Sequence, residues 1–310
     1  MNCLAIIIPA YKGTFLSEAL DSISKQTCKD FTLYIGDDCS PYQLNEIVDK
    51  YHGEIDMVYQ RFESNLGGKD LVAQWERCIG MSQGEPYIWL FSDDDVMEPR
   101  CVESFLSLPK EIRDNYVVHF NIHQIDEKGN IEITPPPFPE KLSAKEYLDK
   151  KLFRPYLNSF VVEFVFPRWV YEKSGGFQNF DMAWGSDFVT WIKFADACRG
   201  LYTVNDEKAK VRWRSSSENI SPNKSHDILV RKINAQIDYT AYIVCFLKGK
   251  GYQVPFKYVR FVWGYLFRNT HHIESNDMYA IKSLYSKKIG FTYLSQIAYY
   301  LVRLKTLLHI

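Results

Sequence analysis

The apolar run Tyr87-Ile88-Trp89-Leu90-Phe91 leads directly into Ser92-Asp93-Asp94-Asp95. Five consecutive aromatic and aliphatic residues are typical of a strand that is buried on both faces of a sheet. Three adjacent carboxylates repel one another unless a positive charge lies among them. The stretch therefore predicts a buried strand whose carboxyl end carries either a cation site or a solvated acidic turn.

The residues before this strand alternate between two patterns. Short apolar runs, typical of strands, are separated by stretches that have apolar residues at helical spacing. The predicted strands are Leu4–Ile8, Phe31–Ile35 and Met57–Gln60, and the predicted helices are Phe15–Gln26, Leu44–Tyr51 and Leu71–Met81. This alternation predicts an α/β fold with a parallel sheet and helices on both faces.

The later part of the chain is less regular and ends in helical patterns. Further strands are predicted at Val117–Ile125 and Phe160–Phe166, and helices at Ile228–Lys248, Lys257–Arg268 and Leu294–Leu308. We therefore predict two parts, an α/β domain at residues 1–225 and a helical region at residues 226–310.

Polar residues follow three of the four predicted N-terminal strands, as Pro9-Ala10-Tyr11, Asp37-Asp38 and Asp93-Asp94-Asp95. Ligands of parallel α/β sheets bind beyond the carboxyl ends of the strands, so these residues predict one ligand site. Oxygen ligands select Mg²⁺ or Mn²⁺, which complete their shells with water and substrate phosphates. The Asp37-Asp38 pair fits a turn or a helix cap as well as a carboxylate that accepts a hydrogen bond from a uracil N–H. Tyr11 fits stacking on a base as well as simple packing.

Composition places the chain among large soluble globular proteins. It has 310 residues, 46% hydrophobic and 24% charged, which is enough for a sizeable core. The seven cysteines show no CxxC spacing, which favours reduced thiols in the cytoplasm. We expect no secretory signal, because residues 1–4 lack a basic segment, and no membrane span, because no apolar run reaches about 20 residues.

Charge is distributed unevenly along the sequence. Residues 226–310 carry 12 Lys and Arg against 4 Asp and Glu, a balance of +8, which leaves −9 for residues 1–225. A helical stripe in this basic region contains Leu294, Ile297, Leu301, Leu304 and Leu308. It fits a helix packed on the core or on a second subunit, with a basic amphipathic surface resting on an anionic membrane leaflet as the alternative.

Several segments along the chain form a recognisable set of motifs. They are Ile6–Lys12, Ile35–Ser40, Trp89–Asp95 with Pro99, Asn65–Gly68, Phe166–Arg168, Gly175–Phe177 and Gly185–Asp187. Together these motifs resemble family 2 of the glycosyltransferases. The resemblance covers roughly residues 1–220 and implies the GT-A fold, a Rossmann-like and mostly parallel sheet flanked by helices, here with a helical C-terminal extension.

The resemblance also implies roles for particular residues. A nucleotide diphosphate would be held by Pro9, Ala10, Tyr11, Asp38, Asp93 and Lys69, with Asp38 on the base, Asp93 near the ribose and Lys69 as the basic residue after the Asn-x-Gly element. Asp94, helped by Asp95, would bind the Mn²⁺ or Mg²⁺ on the diphosphate. Asp187 would be the general base that deprotonates the acceptor hydroxyl.

The chain departs from the family pattern at two positions. Ser186 stands where the family usually has Glu, which leaves Asp187 as the base of that motif, with Asp181 as a nearby rival. Without the resemblance, Asp187 reads as the N-cap of a helix at Phe188–Ala197. Ser215 stands where the family often has a metal-binding His, so a water or hydroxyl would complete the shell or the metal would bind less tightly.

Together these observations predict an inverting glycosyltransferase that moves a single sugar from a nucleotide diphosphate donor to a hydroxyl group. By family habit the donor is a UDP-sugar and the acceptor a glycan or lipid-linked glycan of bacterial surface polysaccharide, capsule or lipopolysaccharide. We expect a cytoplasmic protein, resting peripherally on the inner face of the membrane if the basic stripe is a membrane surface. We expect no nucleic-acid partner and leave a homo-oligomer open. Two alternatives remain, a non-catalytic sugar-nucleotide or glycan-binding protein and a sugar nucleotidyltransferase.

Overall fold

The computed structural model describes residues 2–153, 157–217, 225–290 and 292–308. The chain divides into two compact units, the first formed by Met1–Gln178 with Thr190–Ser216 and the second by Asn179–Val189 with Ser217–Ile310. The domain boundary predicted after residue 225 lies beside residues 218–224, which are outside the described residues, and it stays a prediction. The sequence did not indicate that Asn179–Val189 would join the second unit.

The described residues form twelve strands. They are β1 (Leu4–Ala10), β2 (Phe31–Asp37), β3 (Met57–Arg61), β4 (Tyr87–Leu90), β5 (Val96–Met97), β6 (Val117–Phe120), β7 (Ile122–Ile125), β8 (Ile131–Ile133), β9 (Lys141–Leu142), β10 (Phe164–Pro167), β11 (Leu201–Val204) and β12 (Val211–Arg214).

They also form twelve α-helices. These are α1 (Leu16–Ser24), α2 (Leu44–Val48), α3 (Leu71–Ile79), α4 (Cys101–Leu106), α5 (Lys110–Asn115), α6 (Ala144–Leu152), α7 (Arg168–Ser174), α8 (Ser186–Ala197), α9 (His226–Gly249), α10 (Arg260–Arg268), α11 (Ser275–Lys288) and α12 (Tyr293–Leu308).

The main sheet of the first unit has the order β3-β2-β1-β4-β10-β6-β11-β9. The first four strands are parallel to one another, with Leu4 opposite both Phe31 and Tyr87. The next strand, β10, is antiparallel to both of its neighbours. The predicted α/β class with a mostly parallel sheet is therefore confirmed, and the loops after β1, β2 and β4 lie at one edge of it.

A second, smaller sheet has the order β5-β12-β7-β8. The single strand predicted at Val117–Ile125 is wrong, because the chain changes sheets at Asn121. There the carbonyl of Asn121 accepts a hydrogen bond from the Val211 N–H (3.1 Å), and its side chain accepts one from the Phe138 N–H (3.0 Å). The small sheet brings the end of β12 beside the segment that follows β4.

The core of the first unit lies on both faces of the main sheet. Every residue of β4 is buried, and the Trp89 ring stacks on Phe120 with centroids 4.8 Å apart. The Trp89 indole N–H donates to the Val162 carbonyl at 2.6 Å, so this large side chain is buried without an unsatisfied donor. The apolar run that precedes the three carboxylates is thus rigidly placed.

Helices α9 to α12 supply most of the second unit, and their core contains Leu229, Trp263 and Tyr285. Helix α12 buries Tyr299 and Val302 there. The stripe predicted from Leu294 faces the other way, with Leu301 and Leu304 each 55% exposed. The prediction that this stripe packs on the core of its own unit is therefore wrong. The side chain of Leu308 is outside the described residues. Among the described residues, no helix has the length and apolar character to span a bilayer.

The buried imidazole of His119 makes stability depend on pH. The ring stacks on Phe138 with centroids 3.8 Å apart, and neither ring nitrogen has a hydrogen-bond partner among the described residues. Burial, with a smaller contribution from the Lys151 charge, lowers the pKa of His119 from 6.5 to about 3. The unfolded chain therefore takes up a proton below pH 6.5 that the folded chain does not, and this part of the stability is lost as the pH falls towards 3.

We expect His119→Phe to remove this acid sensitivity. Between pH 7 and pH 4.5 the titration of His119 lowers the free energy of unfolding of the parent chain by about 2.5 kcal/mol. The variant lacks this contribution, so its free energy of unfolding should decrease by about 2.5 kcal/mol less over the same pH range. Urea denaturation at the two pH values measures the difference. His271→Gln, which removes an exposed histidine, is the control and should behave like the parent chain. Equal losses for His119→Phe and the parent would contradict the prediction.

Candidate active site

Asp93 joins the end of β1 to the end of β4. Its Oδ2 accepts hydrogen bonds from the backbone N–H groups of Tyr11 and Lys12, both at 2.8 Å. Burial, reinforced by the neighbouring Asp94 charge, raises the pKa of Asp93 to about 6, although the two N–H groups act in the opposite direction. The structure thus brings together two of the loops that the sequence assigned to one ligand site.

Asp94 lies between a hydroxyl and a cation. Its Oδ1 accepts a hydrogen bond from Ser92 Oγ (2.9 Å), and its Oδ2 is 3.6 Å from the Lys12 ammonium. Its side chain is 12% exposed, so the carboxylate still reaches the surface of the site.

Asp95 is held more tightly by the protein itself. Its Oδ1 accepts the Arg214 backbone N–H at 2.6 Å and its Oδ2 accepts Ser92 Oγ at 2.6 Å. Burial, and then the Asp94 charge, raise the pKa of Asp95 well above its usual value. Asp95 is the more buried of the two residues, 2% exposed against 9% for Asp94, which makes Asp94 the more available carboxylate for a ligand.

Arg214, at the end of β12, anchors this acidic loop. Its side chain is fully buried, with Nε donating to the Asp94 carbonyl (2.8 Å) and Nη2 to Glu18 Oε2 (2.6 Å). Nη1 donates to the carbonyls of Asp126 and Glu127 at 3.2 and 3.1 Å. The position that follows it, Ser215, is exposed and its N–H donates to the Ile125 carbonyl.

Asp38 connects the loop after β2 with the Asn65–Gly68 segment. Its Oδ1 accepts from the Leu66 N–H (2.7 Å) and from Arg77 Nη2 (2.6 Å), and its Oδ2 accepts from the Gly67 N–H (2.7 Å). A Cβ atom on Gly67 would lie 2.8 Å from Asp38 Oδ2, so a larger residue there would displace the carboxylate. In the sequence, Asp37-Asp38 and Asn65–Gly68 are two separate motifs. In the structure, hydrogen bonds to the Asp38 carboxylate connect them.

The other predicted nucleotide-binding residues differ in accessibility. Ala10 is buried and its carbonyl accepts the Asp38 N–H at 2.9 Å. Tyr11 is 41% exposed, and its carbonyl accepts Ser40 Oγ at 2.6 Å. Pro9 is partly buried in β1, and Lys69 is exposed.

Asp187 belongs to the second unit and lies in the first turn of α8, which begins at Ser186. The alternative that Asp187 is the N-cap of a helix beginning at Phe188 is therefore wrong by two residues. Ser186 Oγ accepts the Phe180 N–H at 2.9 Å. The Glu position of the family motif is thus occupied here by a hydroxyl with a structural hydrogen bond.

The rival carboxylate, Asp181, is bound to a cation of the same unit. Arg231 donates Nε and Nη2 to its two oxygens at 2.9 and 2.6 Å. This pairing lowers the pKa of Asp181, which makes its carboxylate a weaker proton acceptor.

Comparison with known proteins identifies the family. The model of glycosyl transferase family 2 matches residues 5–167, more than half of the chain. The chain belongs to glycosyl transferase family 2. An uncharacterized glycosyltransferase of Rickettsia prowazekii is 28% identical over 196 residues, which are 62% of this chain and 58% of that relative. The chain therefore spans less than two thirds of the relative's length.

Two solved structures resemble the chain in fold. TarS 1–349 of Staphylococcus aureus, in complex with UDP-GlcNAc, gives a TM-score of 0.59 at 12% identity and covers 100% of this chain and 92% of its own. GalNAc-T7 with UDP, GalNAc and Mn²⁺ gives 0.52 at 14% identity, covering 76% of this chain and 47% of its own. At these identities the likeness shows the fold alone, and it confirms the GT-A class for this member of family 2.

The acidic loop of this family 2 chain has the chemistry of a divalent-cation site. Asp93 and Asp95 both have raised pKa values because burial and the Asp94 charge disfavour two or three ionised carboxylates so close together. A divalent cation would remove that repulsion, and an all-oxygen donor set suits Mg²⁺ or Mn²⁺. The residues present therefore fit such an ion.

Sequence reasoning missed the part that Arg214 plays in this family 2 site. In the sequence this segment drew attention only through Ser215, which stands where the family often has a metal-binding His. One signal was available: an arginine in a four-residue strand otherwise made of Val211, Arg212 and Trp213 needs buried acceptors if it points inwards. Nothing in the local sequence indicated that its partners would include the loop after β4.

Proposed function

We propose that this chain is an inverting glycosyltransferase that moves a single sugar from a nucleotide diphosphate donor to a hydroxyl of a glycan or lipid-linked acceptor. The observation that carries the proposal is the hydrogen bonding of Asp93 to the N–H groups of Tyr11 and Lys12. These hydrogen bonds bring together the half-exposed ring of Tyr11, the side chain of Lys12 and the available carboxylate of Asp94. The ring suits a base, the lysine suits a diphosphate and the carboxylate suits a cation.

The chain's own residues would divide the work as follows. Tyr11 would stack on the base while Asp38, Pro9 and Ala10 shape the nucleoside pocket, with Asp93 beside the ribose. Lys69 supplies an exposed cation near the same edge through the Asn65–Gly68 segment. Asp94, with Asp95 behind it, would hold Mn²⁺ or Mg²⁺, an ion that stabilises negative charge on a departing diphosphate.

The proposed base is Asp187, which would accept the proton of the acceptor hydroxyl. Its rival, Asp181, is paired with Arg231 and has a lowered pKa, which supports the choice. A single base that acts opposite the leaving group implies direct displacement and inversion at the anomeric carbon.

For the donor we propose a UDP-sugar. TarS and GalNAc-T7, whose structures share this fold, were solved with UDP-GlcNAc and with UDP and Mn²⁺, which supports the nucleotide and the ion. We assign the acceptor and the pathway, synthesis of bacterial surface polysaccharide at the cytoplasmic face of the membrane, only because they are usual in the family. The competing proposal, a non-catalytic sugar-nucleotide-binding protein, is favoured by Ser186 and Ser215 at the Glu and His positions.

We expect UDP to stabilise the chain against heat only when Mn²⁺ or Mg²⁺ is present. A ligand at 100 times its Kd adds about 2.7 kcal/mol to the free energy of unfolding. Thermal unfolding with UDP, GDP, TDP or CMP, each with and without Mn²⁺, measures the effect. Asp94→Asn should abolish the Mn²⁺-dependent part, because the variant loses the carboxylate proposed to hold the ion.

The control for this experiment is Asp49→Asn, which alters an exposed carboxylate in the turn Asp49–Tyr51 and should respond like the parent chain. Stabilisation that is the same with and without the ion would contradict a metal site at Asp94. No response to any nucleotide would contradict the donor site itself. Incubation with UDP-sugars and NMR of the product's anomeric proton then separates a transferase from a binding protein.

A further inference from the structure

Helix α12 has two apolar faces. With 3.6 residues per turn, its exposed Tyr and aliphatic side chains fall within an arc of about 120°. They are Tyr293, Leu294, Ile297, Tyr300, Leu301 and Leu304, between 41% and 76% exposed. The opposite side of the helix carries the buried residues Ser295, Tyr299 and Val302. The exposed arc is therefore not the face that builds the core, and a contiguous apolar surface of this kind marks an interaction site.

Cations and aromatic rings border this exposed face on both sides. On one side the Arg303 guanidinium lies 5.2 Å from the Tyr279 ring centroid and donates to the Tyr279 hydroxyl at 2.9 Å. On the other, the Lys305 ammonium lies 4.3 Å from the Phe267 ring centroid. Tyr279 and Phe267 are themselves 54% and 44% exposed. The result is an apolar strip with rings and positive charges along its margins.

The positive charge of residues 278–310 indicates which partner binds the exposed face of α12. Residues 278–310 contain five Lys and Arg and no Asp or Glu. A second copy of the same face would bring cations against cations, with no carboxylate of that segment to compensate. An anionic bilayer supplies negative headgroups for the cations, an interfacial zone for Tyr and Phe, and acyl chains for the leucines.

We propose that α12 is a membrane-docking helix, which lies flat on an anionic lipid surface with the arc from Tyr293 to Leu304 turned towards the acyl chains. Lys305 and Arg303 extend their ammonium and guanidinium groups to the phosphates while their aliphatic stems rest on apolar surface. This orientation agrees with the finding that no described helix has the properties of a bilayer span. The inference does not depend on the transferase chemistry.

The proposal is tested by sedimentation of the full chain with vesicles. Vesicles of phosphatidylglycerol and phosphatidylcholine are compared with vesicles of phosphatidylcholine alone. We expect binding to the anionic vesicles that weakens as salt is raised. The double variant Leu301→Glu/Leu304→Glu should reduce the partition by about tenfold or more, because two half-exposed leucines and the charge balance are both lost. Arg303→Gln/Lys305→Gln should lower the preference for anionic over neutral vesicles.

The matched control is Ile131→Glu/Ile133→Glu, which places the same charges on two isoleucines of β8 that are 51% and 50% exposed. It should bind vesicles nearly like the parent chain, within the effect of two added negative charges. Thermal unfolding establishes that each variant is folded. The proposal is overturned if the parent chain does not sediment, or if both Glu double variants lose binding equally. It is also overturned if light scattering shows an oligomer that only Leu301→Glu/Leu304→Glu dissociates, since the face would then bind a second copy.

Discussion

Asp187→Asn is expected to slow sugar transfer by about 10²- to 10⁴-fold while UDP and Mn²⁺ still bind, because asparagine keeps the size of the side chain but cannot accept the hydroxyl proton. The measurement is the rate at saturating donor and acceptor, with UDP binding followed separately by thermal unfolding. Since Asp187 lies in the first turn of α8, the variant also loses a favourable interaction of about 0.3–1 kcal/mol with the helix dipole. A modest fall in thermal stability is therefore expected as well.

The matched control is Asp181→Asn, the same change six residues earlier. Asp181 is paired with Arg231 and is about half exposed, so its loss should affect stability slightly and turnover by less than tenfold. If Asp181→Asn abolished turnover and Asp187→Asn did not, the assignment of the base would be reversed. If neither variant changed the rate, the proposed base chemistry would be wrong. If the parent chain itself turned over no UDP-sugar, the binding-protein alternative would be favoured.

Arg214→Met is expected to destabilise the first unit strongly. The substitution keeps apolar bulk over Phe15, whose ring centroid lies 4.3 Å from the guanidinium, but removes every donor of that group. The carbonyls of Asp94, Asp126 and Glu127 then lose the hydrogen bonds that Arg214 donates, and Glu18 loses its cation. The Glu18 side chain is 55% exposed, so the broken ion pair adds little, whereas each buried acceptor left unsatisfied costs about 1–3 kcal/mol. Urea denaturation measures the loss, and the Mn²⁺-dependent response to UDP should disappear with it.

Arg212→Met provides the comparison, because Arg212 lies two residues earlier in the same strand. Its guanidinium pairs with Glu98 at the surface, with side chains 35% and 23% exposed, so the variant should lose about 1 kcal/mol or less. Arg214→Lys keeps the charge but cannot reach four acceptors at once, and we expect an intermediate loss. Equal losses for Arg212→Met and Arg214→Met would contradict the anchoring role of Arg214.

The part of the site formed by residues that directly follow parallel strands was predictable from the sequence. Three apolar runs with polar ends were enough to place Tyr11, Asp38 and Asp93 at one edge, because the carboxyl ends of parallel strands lie together. The hydrogen bond from Arg214 to the Asp95 carboxylate joins residues 119 positions apart, and no local periodicity encodes that distance. It depends on the pairing of β12 with β5 and β7, which only the complete fold determines.

Two other outcomes show where local patterns mislead. The apolar run at Val117–Ile125 reads as one strand, although Asn121 divides it between two sheets. On α12, the period of the leucines predicted a helix correctly. The same period was compatible with an inward or an outward face, because a leucine stripe by itself carries no information about the neighbour it meets. The structure decides this by burying Tyr299 and Val302 instead.

The order of the main sheet has a consequence for folding during synthesis. Strands β3, β2, β1 and β4 come from the first 90 residues, so their three parallel pairings are available as soon as that part of the chain has emerged. The outer edge of β4 pairs with β10, which begins only at Phe164. Until then, an apolar strand edge at Tyr87–Leu90 remains open to any other extended chain. Fragments that end before Phe164 should therefore aggregate, and during synthesis a chaperone or rapid elongation would protect that edge.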